Sequence, residues 1–101
     1  MLRKIVIIKK NAIIYKREYG ETFAWECIAP LFVSLTYFVE EAPDEVPYDI
    51  LNTVFYKIGY STNKKLNLLF IFVADINDPD EVIANQLQEF NKTVSPLLEA
   101  V

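Results

Sequence analysis

The chain has 101 residues, of which 52% are hydrophobic and 14% are aromatic, and its formal net charge is −4. We therefore predict a single domain over residues 1–101 with one core, and this composition excludes an intrinsically disordered chain. The charge gives no support to nucleic-acid binding. The lack of histidine excludes Ser-His-Asp and Cys-His catalysis, while the single cysteine, Cys27, excludes an intrachain disulfide and favours a reducing, cytoplasmic compartment.

The first 20 residues predict a β-hairpin. Two runs of β-branched residues flank a Lys-Lys-Asn connection, in which Asn11 can adopt a left-handed conformation, and Gly20 closes the unit. The first run, Ile5 to Ile8, is apolar at every position and predicts a strand buried on both faces. The second run is mixed and belongs nearer an edge of the sheet. The first run is too short for a signal peptide or a transmembrane segment.

Basic residues are concentrated in this hairpin. Six of the ten lie within the first 17 residues: Arg3, Lys4, Lys9, Lys10, Lys16 and Arg17. An acidic partner or an anionic lipid surface could contact Lys9, Lys10, Lys16 and Arg17. The simpler interpretation is that lysines on an exposed hairpin prevent edge-to-edge aggregation.

Residues 23–42 predict an amphipathic helix, because their apolar residues recur at spacings of three and four. Pro30 leaves two alternatives: the regular helix begins near Ala29, with Pro30 in its first turn, or a longer helix is kinked there. Cys27 is interpreted as a small buried residue. Trp25 is interpreted either as a core residue or as an anchor for a partner.

The next segment, Tyr48 to Tyr60, predicts one bent strand or two short ones, followed by a turn at STNKK, residues 61–65. The run LNLLFIFVADI, residues 66–76, predicts another strand buried on both faces. Two such strands require cover on both faces of the sheet, for which the sequence supplies two helices.

The acidic run after this strand raises the question of a metal or catalytic site at Asp75, Asn77, Asp78 and Asp80. A helix start explains most of it, with Asp78 as the capping residue, proline at the next position and Glu81 reaching back to the cap. A calcium loop does not fit, because its glycine and glutamate positions are aspartate and glutamine here, and the two glycines of the chain make no phosphate-binding loop. We therefore predict no metal site, no cofactor and no catalytic residues.

A second amphipathic helix is predicted from about Pro79. Its apolar positions have helical spacing and are Val82, Ile83, Leu87, Phe90, Val94 and Leu97. Pro96 removes a backbone hydrogen bond and is expected to end or kink this helix near Val94.

The segment VFYKIGYSTNKKLNLLFIFVADINDPDEVIANQLQEFNKTVSPLLE resembles the third to fifth strands and following helix of the small sigma subunits of clathrin adaptors, which are longin (SNARE-like) domains. The similar features are Phe-x-Lys-Ile-x-Tyr, an Asp-x-Asn-Asp turn and a helical phenylalanine, here Phe90. The Pro-Leu-Phe-x-Ser-Leu segment is similar to small prokaryotic members. The resemblance implies an α/β sandwich with five antiparallel strands in the order 2-1-5-4-3 and helices on both faces, with the family's usual third helix missing.

This resemblance also implies a function, that of a non-enzymatic scaffold or adaptor. Roadblock-type relatives dimerise and serve as platforms for small GTPases, so the implied partners are a second copy, a related longin or roadblock subunit, a small Ras-like GTPase or a vesicle-trafficking subunit. By analogy, the expected partner or dimer surface includes Trp25, Tyr37, Tyr48, Tyr56 and Tyr60. The alternative is a peripheral membrane protein whose basic hairpin binds anionic lipid.

Overall fold

A computed structural model describes residues 2–10, 12–19, 34, 37, 49–53 and 56–99. The described strands form one antiparallel sheet in the order β2-β1-β5-β4-β3, which confirms the implied topology. The elements are β1 (Leu2–Lys9), β2 (Ala12–Glu18), β3 (Asp49–Asn52), β4 (Tyr56–Asn63), β5 (Leu68–Asp75) and helix α1 (Asp80–Leu98).

The helix predicted for residues 23–42 lies outside the described residues except at Ser34 and Tyr37, which are both helical and exposed. The alternatives for Pro30 and the role of Cys27 therefore stay predictions.

The two central strands are β1 and β5, as their apolar runs predict. Residues Ile5 to Ile8 are 0–7% exposed, and every residue from Leu68 to Ala74 is buried. Side chains alternate between the two faces of a strand, so a run that is apolar throughout can be stable only where both faces are covered. This is the reason that these two strands occupy the middle of the sheet.

The core is divided by the sheet into two clusters. One face carries Val6, Ile8, Ile58, Tyr60, Leu69, Ile71 and Val73. The other, which we call the helix face, carries the alternate residues of β1 and β5 together with Ile83 and Leu87 of α1. The helical spacing of the apolar residues in α1 is thus explained by packing on this face.

Helix α1 approaches the sheet most closely at Gly59 of β4. A Cβ atom at this position would lie 2.7 Å from Leu87 Cδ1 and 2.9 Å from Ile83 Cγ2. Real Cβ atoms do not approach other carbons so closely, so glycine sets the distance between helix and strand.

In its second half, α1 is held against the sheet by a polar network and by an aromatic cluster. Asn91 Nδ2 donates to Ser61 Oγ at 2.7 Å and to the Thr62 carbonyl at 3.1 Å, and Ser95 Oγ donates to Asn91 Oδ1 at 2.7 Å. Phe90 packs edge-on against Phe70 and Phe72 of β5. Buried hydroxyl and amide groups are thereby satisfied between helix and sheet.

The extended segment consists of two strands, β3 and β4, and the turn predicted at residues 61–65 is wrong in position. Ser61, Thr62 and Asn63 continue β4 because they pair with Phe70, Leu69 and Leu68. The chain reverses in a 3-10 turn, Lys64–Leu66, where the Asn63 side chain accepts from the Leu66 N–H at 3.3 Å. Asn67 then takes the left-handed conformation, with φ 56°.

Helix α1 begins next to Pro79, as predicted, but its capping differs from the prediction. Pro79 occupies the N-cap position without a side-chain cap hydrogen bond, and Asp78 Oδ2 accepts from the Asp75 N–H at 3.2 Å, so Asp78 is not the N-cap residue. Asp80 and Glu81 do lie in the first turn, where the helix dipole favours them. Pro96 does not end the helix, which continues to Leu98. Proline removes one backbone hydrogen bond, the one that residue 96 would donate to the Lys92 carbonyl, and this bond belongs to the last turns of the helix.

The hairpin is confirmed, with a bulge in the β1–β2 register between Ile7 and Ile8. Lys10 adopts the left-handed conformation in the turn, with φ 50°. Asn11 and Gly20 lie outside the described residues.

Candidate interaction surfaces

The residues predicted for a partner surface fall into different environments. Tyr37 is 66% exposed, whereas Tyr56 is half-buried against the core. Tyr60 is only 2% exposed, so its prediction as a surface residue is wrong in this chain; alternation along β4 turns it into the core. Trp25 and Tyr48 lie outside the described residues.

Tyr60 and Asp49 link β4 to the start of β3. The Tyr60 hydroxyl donates to Asp49 Oδ2 at 3.1 Å, and Asp49 Oδ1 accepts from the Ile50 N–H at 2.8 Å. Burial, followed by the hydrogen bond and charge of Asp49, raises the pKa of Tyr60 to about 12. The neutral phenol is therefore the form that stabilises this edge of the sheet.

Alkaline pH is expected to destabilise the fold through Tyr60. Its pKa in the folded chain, about 12, exceeds the value of about 10 in an unfolded chain, so its contribution is complete below about pH 10 and decreases as the pH rises towards 12. The loss should reach about 2 kcal/mol. Urea unfolding between about pH 8 and about pH 11.5 would measure it.

The variant Tyr60→Phe is the reference, because it lacks the ionising hydroxyl but retains the ring. Other tyrosines and lysines titrate in both proteins, so only the difference between the two pH profiles reports on Tyr60. Identical profiles would contradict the assignment.

Strand β3 is one edge of the described sheet, and beside it lies a groove of about 430 Å³ between β3 and the start of α1. The groove is lined by Asp49, Ile50, Asp80, Glu81, Ala84, Asn85 and Gln88. Asp80 forms an ion pair with Lys57. Carboxylates therefore dominate the charge of this edge.

Strand β2 is the other edge, and all seven of its residues are exposed. Three consecutive apolar residues lie on it: Ile13 is 48% exposed, Ile14 36% and Tyr15 41%. Arg17 lies over the ring of Tyr19, 5.0 Å from its centroid, and a hydrogen bond with the Tyr15 side chain raises the pKa of Arg17. Three of the exposed large hydrophobic side chains among the described residues thus lie next to one another along this edge strand.

The basic residues of the hairpin have different roles. Arg3 forms a two-point ion pair with Asp75, with N–O distances of 2.7 and 3.3 Å, and this hydrogen bonding lowers the pKa of Asp75. Lys4 is fully buried, with its ammonium 2.9 Å from Glu18 Oε1. These two residues are structural.

The four basic residues singled out for partner contact are divided by the hairpin geometry. Lys9 and Lys10 lie at the turn, where Lys9 Nζ donates to the Leu98 carbonyl at 3.0 Å. Lys16 and Arg17 lie further along β2, at the level of Val6 and Ile5. They are therefore three and four strand positions away from Lys9.

The acidic run after β5 has structural contacts. Asp75 binds Arg3, Asp78 accepts from the Asp75 N–H, and Asp80 binds Lys57. Asn77 is exposed in the turn. Within residues 56–99 and the other described segments, no three acidic or cysteine side chains are grouped to hold a metal ion.

The fold is similar to that of a solved structure, whereas sequence comparisons find no relative. No protein-family model and no curated protein sequence matches the chain. Among solved structures, the chain is similar to a roadblock/LC7 domain from Streptomyces avermitilis, with a TM-score of 0.72 and 13% sequence identity. The match covers 96% of this chain and 85% of that chain.

The chain has a roadblock/LC7 fold. This fold is longin-like, so the resemblance found in the sequence is confirmed at the level of the fold. In the part of the chain that the structure describes, no helix has the length and hydrophobicity needed to cross a membrane.

Three basic residues of this roadblock/LC7 fold were not predicted as surface residues from the sequence, and they lie at the end of the sheet where β1 meets β2. Lys64, Lys65 and Lys92 come from the 3-10 turn and from α1, and the sheet register brings them to the end of the molecule where Lys9 and Lys10 lie. The Lys-Lys pair in the STNKK segment was the available signal, but it could be placed only once the strand pairing was known.

Proposed function

We propose that this chain is a non-enzymatic adaptor module that acts by binding other proteins, as a homodimer or paired with a related longin or roadblock subunit. The observation that carries the proposal is the roadblock/LC7 fold across 96% of the chain. The exposed apolar residues of β2 and the exposed Tyr37 support it, because exposed apolar groups on a small domain mark interaction sites.

The further partner that we propose is a small Ras-like GTPase or a subunit of a vesicle-trafficking complex in the cytoplasm. The acidic groove beside β3 is a second surface, separate from the apolar β2 edge, so one module offers two chemically different contacts. A scaffold that joins two partners requires such separate surfaces.

We expect the purified protein to be a dimer in light scattering coupled to size-exclusion chromatography. Tyr37→Ala should weaken the dimer about tenfold, since truncating an exposed aromatic anchor commonly costs more than 1 kcal/mol at an interface. Leu97→Ala is the matched control, because Leu97 is 73% exposed on α1 and outside the predicted surface.

A pull-down with small GTPases, loaded with GDP or with a GTP analogue, tests the second partner. A strict monomer that retains no GTPase would contradict the proposal. A dimer without GTPase binding would restrict it to self-association.

A further inference from the structure

Half of the basic residues of this chain lie at one end of the fold, which we call the lysine end. They are Lys9, Lys10, Lys64, Lys65 and Lys92. The topology places them together, because β1, β4 and α1 all end there and β5 begins there. Lys9 pairs with Leu68, and the Lys10 N–H donates to the Asn67 carbonyl at 3.2 Å.

Helix α1 contributes the remaining part of the lysine end. Lys65 of the 3-10 turn and Lys92 of α1 line the same depression of about 320 Å³. On the other side of the helix end, Lys9 Nζ reaches the Leu98 carbonyl. Lys10, Lys65 and Lys92 are exposed, so positive charge is spread around the end of α1.

An apolar side chain is also exposed in the last turn of α1. Leu97 is 73% exposed, the most exposed large hydrophobic side chain among the described residues. Glu99 is the acidic residue that lines the depression with Lys65 and Lys92. The lysine end therefore combines an excess of positive charge with one exposed leucine.

The opposite end of the sheet has the opposite charge. Asp75, Asp78, Asp80 and Glu81 lie there, at the end of β5 and the start of α1, where Arg3 pairs with Asp75 and Lys57 pairs with Asp80. Among the described residues, charge is thus separated along the strands. Such a separation orients a protein in an external field.

We propose that the lysine end docks on an anionic lipid bilayer, with Leu97 in the interfacial region. Lysine ammonium groups act as point charges, and each one near an anionic bilayer strengthens binding roughly fivefold. Three exposed lysines from separate elements match a broad anionic plane, and the exposed leucine favours a lipid interface over an aqueous partner. The acidic end faces away from the membrane, which fixes one orientation.

This inference goes beyond the adaptor function and changes the lipid-binding residues expected from the sequence. Lys16 and Arg17 lie along β2 and are not part of the lysine end. They therefore supply a control with the same change in net charge as a pair of lysine-end residues.

The test is vesicle flotation with the full chain. Vesicles of phosphatidylcholine with about 30% phosphatidylserine should bind the protein in about 0.1 M salt and release it in about 0.5 M salt, because screening weakens the attraction. Lys65→Gln with Lys92→Gln should reduce binding roughly twentyfold. Lys16→Gln with Arg17→Gln should change it less than about twofold, because these residues are remote from the bilayer.

Leu97→Ala tests the apolar contact. It should reduce binding by about fivefold without changing the salt dependence, because it removes only buried apolar surface. Circular dichroism and size-exclusion chromatography on the same samples show that each variant is folded and report its dimer separately, so failure of lipid binding is distinguishable from failure of the adaptor proposal.

Three results would overturn the proposal: no binding to phosphatidylserine vesicles, equal loss in both double variants, or equal binding to pure phosphatidylcholine. Polyglutamate serves as the probe for an acidic protein partner. Polyglutamate is added at a concentration of negative charge equal to that of the vesicles. If it binds the protein more tightly and displaces it from the vesicles, the lysine end binds an acidic protein and the lipid assignment is wrong.

Discussion

Gly59→Val is expected to lower the free energy of unfolding by about 3 kcal/mol, which is the upper part of the usual range for overpacking a core. The first added carbon would already lie 2.7 Å from Leu87 Cδ1 and 2.9 Å from Ile83 Cγ2, both on buried side chains. Helix α1 would have to move away from β4, at the expense of the Asn91 hydrogen bonds. Urea unfolding followed by circular dichroism measures the change.

Leu87→Ala tests this prediction, because the shorter side chain makes room for a valine at position 59. Alone it should lower the free energy of unfolding by about 2–5 kcal/mol, because it leaves a cavity. Combined with Gly59→Val, it should cost clearly less than the two changes added together, since the valine fills space that the leucine leaves. Simple additivity in this double-mutant cycle would show that the helix does not touch β4 at Gly59.

Phe90→Ala is expected to lower the free energy of unfolding by about 2–4 kcal/mol, somewhat below the range for a fully buried phenylalanine. Phe90 is half-buried and lies edge-on to two rings of β5, with centroid distances of 5.7 Å to Phe70 and 5.3 Å to Phe72. The change removes apolar contact and two edge-to-face pairs, each worth about 1 kcal/mol. The same unfolding assay measures the loss.

The matched control is Leu97→Ala on the same helix. Leu97 is 73% exposed, so its truncation should change stability by less than about 0.5 kcal/mol. Equal effects of the two variants would mean that α1 is not held by the aromatic cluster. The control also matters for lipid binding, because Leu97→Ala must be stable for its loss of binding to be interpreted.

The fold follows from the sequence where short-range patterns decide it. Runs that are apolar at every position placed β1 and β5 in the centre of the sheet, and the helical spacing of Leu87 and Phe90 identified the packing face of α1. The mixed composition of β2 placed it at an edge. These features depend only on which neighbours along the chain are apolar, because each type of secondary structure repeats with its own period.

The predictions from sequence were wrong where a local preference was overridden by a contact with another part of the fold. Pro96 lies inside α1 because it interrupts only the last turns, and Ser61 to Asn63 form strand because β5 supplies partners that override their turn propensity. The Asp78 side chain accepts a hydrogen bond from the Asp75 N–H and therefore does not cap the N-terminus of α1.

The sequence by itself determined the two central strands, the edge position of β2 and the amphipathic face of α1. Only the tertiary structure decided that Tyr60 is buried against Asp49, that Gly59 sets the approach of α1, and that Lys65 and Lys92 join Lys10 at one end. The reason is physical: periodicity is a local property of the chain, whereas a charged surface or a close contact depends on which distant residues the strand register brings together.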